Sequence, residues 1–275
     1  MTLVKELEPT QDIQEDVIFP PGDLYSDEPP VESELHLRQI ILLLKCLEWL
    51  WRDRNDFYAA GNLTIYYSPN QLKSEFFRGP DFFVVLDTER KTRKSWVVWE
   101  EDGKYPNVIV EIMSPSTAET DKYFKKKKYQ NTFRTYDYFW FDPYRLEFAG
   151  FHLVDGKYQP LEPNSQGHLW SQQLGLSIGI HQGLLRFFTP EGQLVPTPEE
   201  TAEFERQQKE LAEATAASER QQKELAKATA ASERQQKELA EQTAASERQQ
   251  KELAQEKAEK LAAKLRELNI DPDTI

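Results

Sequence analysis

The chain has 275 residues and a net charge of −13, with 34 Lys plus Arg against 47 Asp plus Glu. From Thr201 onward it holds 13 basic and 16 acidic residues, so most of the acidity lies in the body and excludes a broad, non-specific grip on nucleic acid. A single cysteine, Cys46, excludes an intrachain disulfide framework and a cysteine-built zinc centre.

Any nucleic-acid site must therefore be a local basic patch. The four histidines, His36, His152, His168 and His181, show no ligand spacing. The N-terminal residues lack the apolar core of a signal peptide, and no apolar stretch approaches the roughly 20 residues that span a bilayer. The expectation is a soluble cytoplasmic protein with no membrane partner. Aromatic residues make up 12% of the chain and end at Phe204, which suits one globular domain over residues 32–198.

Residues 1–31 are acidic and proline-bearing and read as an extended lead-in. The first helix starts at the N-cap candidate Ser33. Its apolar positions Leu37, Ile40, Ile41, Leu44, Leu47 and Leu50 follow helical spacing, and Cys46 reads as a buried, inert thiol. Residues 57–69 alternate as a strand, and Pro80 opens a second one, where a missing N–H is tolerated. Residues 95–106 and the run Val108–Met113 read as further strands. Ser114–Thr117 carries helix-start chemistry ahead of a lysine-rich helix. Tyr136–Asp142 is another strand. Residues 146–161 form a hairpin turning at Asp155-Gly156, and two short strands close the body. The order predicts an α/β (α+β) fold with a mixed sheet, one face of which is incompletely covered.

The tail, residues 199–275, differs in kind. Glu205–Ser218 recurs almost unchanged as Glu219–Ser232 and Glu233–Ser246, and a fourth copy begins at Glu247. The period of fourteen is two heptads, with Leu211, Leu225, Leu239 and Leu253 as anchors. Strong helix formers predict one continuous helix, roughly 100 Å long at 1.5 Å per residue. Serines seven residues after the first three leucines thin the seam. Two expectations stay open: homo-oligomerisation through residues 201–268, or a solvated single helix or partly disordered tail.

Chemistry points to the stretch from Pro80 to Pro143. Asp81 stands at a strand start. Glu111 shares one face of its strand with Ile109 and Met113, so its carboxylate must be paired, metal-bound or protonated. Two acids on neighbouring strands can hold one hard divalent ion and leave positions for water and phosphate. A lysine beside them would orient water or stabilise developing charge. Asp121, Lys125 and Tyr129 share a helix face. Each also has a plainer reading. Asp81 serves as a strand cap, Glu111 as a structural ion-pair partner, and Asp121 as a first-turn acid. Tyr129 serves as core, the lysines as a solvated face, and His36 as a structural histidine.

The motifs RGPDFFVV, NVIVEIMSPST, the Asp121, Lys125, Tyr129 series and YDYFWFDP resemble the Uma-two family of restriction-endonuclease-like PD-(D/E)XK endonucleases. The resemblance covers about His36 to Phe188 and leaves out the tail. It implies a restriction-endonuclease-like mixed sheet flanked by helices. It also implies that Asp81 and Glu111 bind Mg2+ or Mn2+ and are catalytic together with Lys125. The superfamily's lysine normally stands two residues after the second acid, where this chain has Met113. Glu34 of the first helix, Asp121 and Tyr129 are accessory candidates, and Lys122, Lys126, Lys127 and Lys128 are candidate nucleic-acid contacts. The chain departs from the family pattern at Phe133–Tyr136, where relatives often carry Gly-Val, and at Asn62, where many carry an acid. The expected function is a metal-dependent endonuclease acting on nucleic acid, DNA first. The alternative is a catalytically inactive nuclease-like interaction protein that oligomerises through its tail.

Overall fold

A computed structural model describes residues 22, 24–26, 28, 31, 33–68, 79–113 and 120–267, the side chains of 120–122 excepted. The expected lead-in lies almost wholly outside these residues, and the Ser114–Thr117 helix start entirely so. The chain divides into two units, residues 1–202 and 203–275.

In chain order the body runs α1 (Glu34–Leu50), β1 (Phe57–Gly61), β2 (Ile65–Tyr66), β3 (Phe82–Leu86), β4 (Trp96–Val97), β5 (Val108–Ile112) and α2 (Thr120–Lys128). A π-helical turn, Tyr129–Phe133, follows directly. Then come β6 (Asp137–Asp142), β7 (Glu147–Val154), β8 (Lys157–Pro160), β9 (Leu169–Ser171), β10 (Leu176–His181) and β11 (Leu184–Phe188). The last helix, α3 (Pro198–Glu267), starts in the body.

The main sheet has the order β1-β3-β5-β6-β7-β8. Only β5 and β6 in it run parallel, joined by α2 and the π-helical turn; the other neighbours are antiparallel. β3 and β5 are buried on both sides, which is why they read as unbroken apolar runs. Strand alternation sorts their side chains between two cores. Phe82, Val84, Val108 and Val110 face α1 and the β11-β10-β9 sheet. Phe83, Val85 and Ile109 face Tyr129, Phe133, Tyr138 and the short parallel β2-β4 pair. Both faces of the sheet therefore carry an apolar cover over β3, β5 and β6, while β7 and β8 at its edge are mostly half-buried or exposed.

Helix α1 begins as expected, with the Ser33 hydroxyl accepting from the His36 N–H. Its buried stripe, however, is His36, Gln39, Ile40, Leu43, Cys46 and Leu47. Leu37, Ile41 and Leu50 are exposed. The helix is rotated from the apolar count because two polar side chains, His36 and Gln39, have partners inside. The Gln39 amide donates to the Leu185 carbonyl and accepts from the Leu185 N–H, each at 2.9 Å. It thus completes the backbone of β11 as a neighbouring strand would. Burial pushes the Cys46 thiol up to about 11, which keeps it protonated and unreactive.

Other departures have local causes. Asn62, at φ 47°, ends β1, so residues 57–69 form two strands instead of one. Beyond Val97 the chain tightens into a 3-10 turn, Val98–Glu100, so the strand expected over 95–106 is only two residues long. β9 went unread because three residues carry no period. The hairpin at Asp155-Gly156 forms with both residues at positive φ.

Helix α3 opens with a reciprocal capping box. The Glu200 N–H donates to the Thr197 hydroxyl and the Thr197 N–H donates to the Glu200 carboxylate. Arg186 holds both oxygens of that carboxylate at 2.7 and 3.0 Å. The helix has no buried residue anywhere. No helix among the described residues is long and apolar enough to cross a membrane.

Gln39→Leu would leave the buried N–H and C=O of Leu185 unpaired at about 1–3 kcal/mol each. Urea denaturation should show the variant destabilised by roughly 2–5 kcal/mol. Leu37→Ala, on the exposed face, should stay within about 0.5 kcal/mol of the parent.

Candidate active site

The register Phe82↔Val110, carried one residue further, puts Asp81 opposite Glu111 at one end of the β3-β5 pair. Directly opposed residues of an antiparallel pair point to the same face with Cβ atoms about 4.5–5.5 Å apart. Glu111 follows the same alternation as Ile109, so the strand drives its carboxylate into the second core, where it is 1% exposed.

Two side chains one helical turn apart meet it there. The Lys125 ammonium donates to Glu111 Oε2 at 2.7 Å, and the Tyr129 hydroxyl donates to Oε1 at 2.5 Å. Tyr129 is the first residue of the π-helical turn and packs against Tyr138 and Phe133, each 5.5 Å away between ring centroids. π-Helical turns commonly mark functional sites. Burial, with the Glu111 charge beside it, raises the Tyr129 hydroxyl well above its ordinary range and keeps it a donor.

Asp81 is held from two sides. The Ile112 N–H donates to Oδ2 at 2.7 Å, and His36 Nε2 stands 3.0 Å from Oδ1. Burial works to raise Asp81, but His36, Lys125 and the Ile112 N–H outweigh it, and its carboxyl is lowered. Glu111 goes the other way. Burial and the Asp81 charge prevail over Lys125 and Tyr129 and push it up to about 8. Paired acids driven apart in this manner are characteristic of sites that do acid–base or metal chemistry.

The structure thus brings together Asp81, Glu111, Lys125 and Tyr129. Glu34 is not with them: its carboxylate lies in solvent, 2.7 Å from Arg38. The helix contributes His36 instead, a residue that lone-histidine reasoning assigns to structure. The usable signal was its place on the stripe His36, Gln39, Ile40, Leu43, Leu47, since a polar side chain on a buried stripe demands a partner. The side chains of Asp121 and Lys122 lie outside the described residues. Lys126 sits 3.2 Å above the Phe151 ring, Lys128 donates to the Tyr67 hydroxyl at 2.7 Å, and Lys127 is exposed. The three lysines thus have different surroundings instead of forming one phosphate-facing row.

Among the described residues no group of three or more His, Cys, Asp or Glu side chains is arranged to hold a metal ion. A magnesium ion needs fewer, since it usually takes one or two carboxylates and completes its shell with water and phosphate. Asp81 and Glu111 offer carboxylate oxygens of the type such an ion takes, each of them facing a protein donor in this structure.

The Uma2 family model, described as "Putative restriction endonuclease", matches residues 6–186. The chain belongs to the Uma-two family. The match runs through β1–β10 and the whole candidate site, so the mixed sheet is a restriction-endonuclease-like core; the helical tail lies beyond it. No curated protein matches the chain. Among solved structures, a "putative nuclease belonging to DUF820" from Anabaena variabilis ATCC 29413 is similar, with a TM-score of 0.38 and 12% identity. The similarity covers 54% of this chain and 76% of that one.

The buried acid gives this Uma-two protein a pH signature. A carboxyl near 4.5 when unfolded and near 8 when folded binds more protons in the folded state between those values. Stability is then fully present below about pH 4.5 and falls as pH rises through about 8. Relative to Glu111→Gln, the parent without added metal should lose on the order of a few kcal/mol across that window. Thermal denaturation in chelator at stepped pH measures it; parallel curves would mean that Glu111 is already ionised in the folded protein.

Proposed function

We propose that the protein is a metal-dependent endonuclease that hydrolyses phosphodiester bonds in nucleic acid, DNA being the expected substrate. One observation carries this reading: two opposed acids, Asp81 and Glu111, with Lys125 bonded to the second of them. Family membership supports the nuclease class. Asp81 and Glu111 would hold Mg2+ or Mn2+, which when bound supplies Lewis-acid polarisation of the phosphate and a more acidic water.

The protein's own groups have separable tasks. Tyr129 holds one oxygen of Glu111 and prevents the carboxylate from rotating. Lys125 holds the other and keeps a positive charge at the site edge, its side chain 20% exposed. There it can stabilise charge on the phosphate oxygens or orient the attacking water. Met113 follows Glu111 by two residues at the usual lysine position, so helix α2 supplies from across the core the cation that the strand does not. His36 and the Ile112 N–H fix the Asp81 carboxylate.

Plasmid and single-stranded DNA cleavage with Mg2+ or Mn2+ tests this. Asp81→Asn, Glu111→Gln and Lys125→Ala should each lower the rate at least about 100-fold. Tyr129→Phe, which only loosens the carboxylate, should cost roughly 10-fold. Equal cleavage by parent and variants would mean a contaminating nuclease and would end the assignment.

A second reading concerns the tail and has its own observation. Leu211, Ala214, Thr215, Ser218, Gln221, Gln222 and Leu225 follow at three- and four-residue steps without a charge, and the pattern repeats to Leu253. Four leucines along it are 51–69% exposed. A fourteen-residue repeat stays on one face only if the helix supercoils, so the stripe suits self-association of this chain. Sedimentation of the full chain should be concentration-dependent. Replacing Leu211, Leu225, Leu239 and Leu253 by Ala should abolish that dependence; a monomer at all concentrations would instead make the tail a solvated rod. In the non-catalytic form of this reading, the association would persist while no metal-dependent cleavage is found.

A further inference from the structure

Tyr123 and Phe124 are consecutive residues of α2 and are 67% and 66% exposed. Their rings meet edge to face, 6.1 Å apart between centroids. Exposed apolar residues scattered singly need no explanation, whereas two large rings side by side next to a buried site form a surface that something is suited to cover. The helix indicates what. The four residues after the pair are Lys125–Lys128, with no acid among them, in a body that is otherwise acidic. Lys127 is exposed and lies three and four residues beyond Phe124 and Tyr123, on the same helix face. Lys125, next in sequence to Phe124, turns inward to Glu111. The rings and the exposed Lys127 ammonium thus stand on the outer side of the helix whose inner side supplies Lys125 to the site.

We propose that Tyr123 and Phe124 form a stacking platform for unpaired bases of a single-stranded nucleic acid, whose phosphates lie against Lys127. The proposal rests on the nuclease reading and narrows its substrate to strands with exposed base faces. Every base has a π-face, so the platform tolerates any sequence, whereas bases stacked within a duplex cannot present theirs. Stacking also supplies grip that a net-acidic body does not gain from charge alone.

Fluorescence anisotropy of the full chain in chelator tests it, with three labelled probes: a mixed-sequence single-stranded DNA, the matching RNA, and the DNA duplex. The double variant Tyr123→Ala/Phe124→Ala should weaken single-strand binding roughly 10-fold or more while changing duplex binding less than about threefold. Tyr123→Trp/Phe124→Trp should keep the parent's affinity. The DNA and RNA arms tell which backbone is preferred, and loss in either supports the platform. Unchanged single-strand binding, or equal loss on single strand and duplex, overturns it and leaves the nuclease reading standing. A double variant that alters sedimentation of the full chain but not nucleic-acid binding would reassign the rings to a contact between copies. If the parent binds none of the probes, the nuclease reading itself fails.

Discussion

The buried carboxylate of Glu111 is the constraint on which the rest of this molecule depends. Strand β5 must be apolar on both sides because it lies in the middle of a covered sheet, and alternation then leaves the glutamate no exit to water. An ionised acid in that position costs several kcal/mol unless cations and donors surround it. Lys125 and Tyr129 supply that surrounding, and they do so because α2 and the π-helical turn place residues four apart on one carboxylate. Even so, Asp81 on the adjoining strand adds a second negative charge, and the balance tips toward a protonated Glu111. A site built this way has a standing deficit of positive charge.

A second buried acid in the same sheet is accommodated differently. Asp137, at the start of β6, is fully buried. It meets His152 Nδ1 at 2.6 Å and accepts from the Ser171 hydroxyl at 2.6 Å and the Gln173 N–H at 3.0 Å. Those partners come from β7, β9 and the turn after β9, so the carboxylate ties three segments together. Among the described residues, no second acid and no ammonium bonds to it. Burial alone therefore does not set one carboxylate apart from another in this fold. Crowding by a like charge, next to a partly exposed lysine, is what distinguishes Asp81 and Glu111 from Asp137.

Much of this was legible in the sequence, for identifiable reasons. Long apolar runs with one misplaced acid identify β3, β5 and the places of Asp81 and Glu111, because only a strand's two-residue period puts Glu111 with Ile109. The four-residue steps of Asp121, Lys125 and Tyr129 make a helix face visible, though not which carboxylate it meets. What stayed hidden depended on partners remote in the chain. The buried stripe of α1 follows Gln39 and His36, whose partners Leu185 and Asp81 lie far along the sequence, so apolar counting found Ile40 and Leu47 but not the rotation that exposes Leu37, Ile41 and Leu50. Glu34 seemed the natural acid of that helix, but the Ser33 cap and the helix phase send it to solvent. The π-helical turn left no trace, since one extra residue per turn has no compositional signature.

The acidity of the body and a polyanionic substrate are reconciled by where the charge lies. The lysines of α2 stand in sequence between the acid pair and β6, and they differ in what they touch. Lys125 neutralises part of the acid pair, Lys126 lies over an aromatic ring, and Lys128 bonds a tyrosine hydroxyl. Among the four from Lys125 to Lys128, only Lys127 is exposed. Long-range attraction is then weak, and a strand must be retained by short-range contacts close to the acids. Weak steering leaves the grip on a polyanion to individual side chains instead of to the field of the whole body. A uniform positive face would instead hold any duplex equally well.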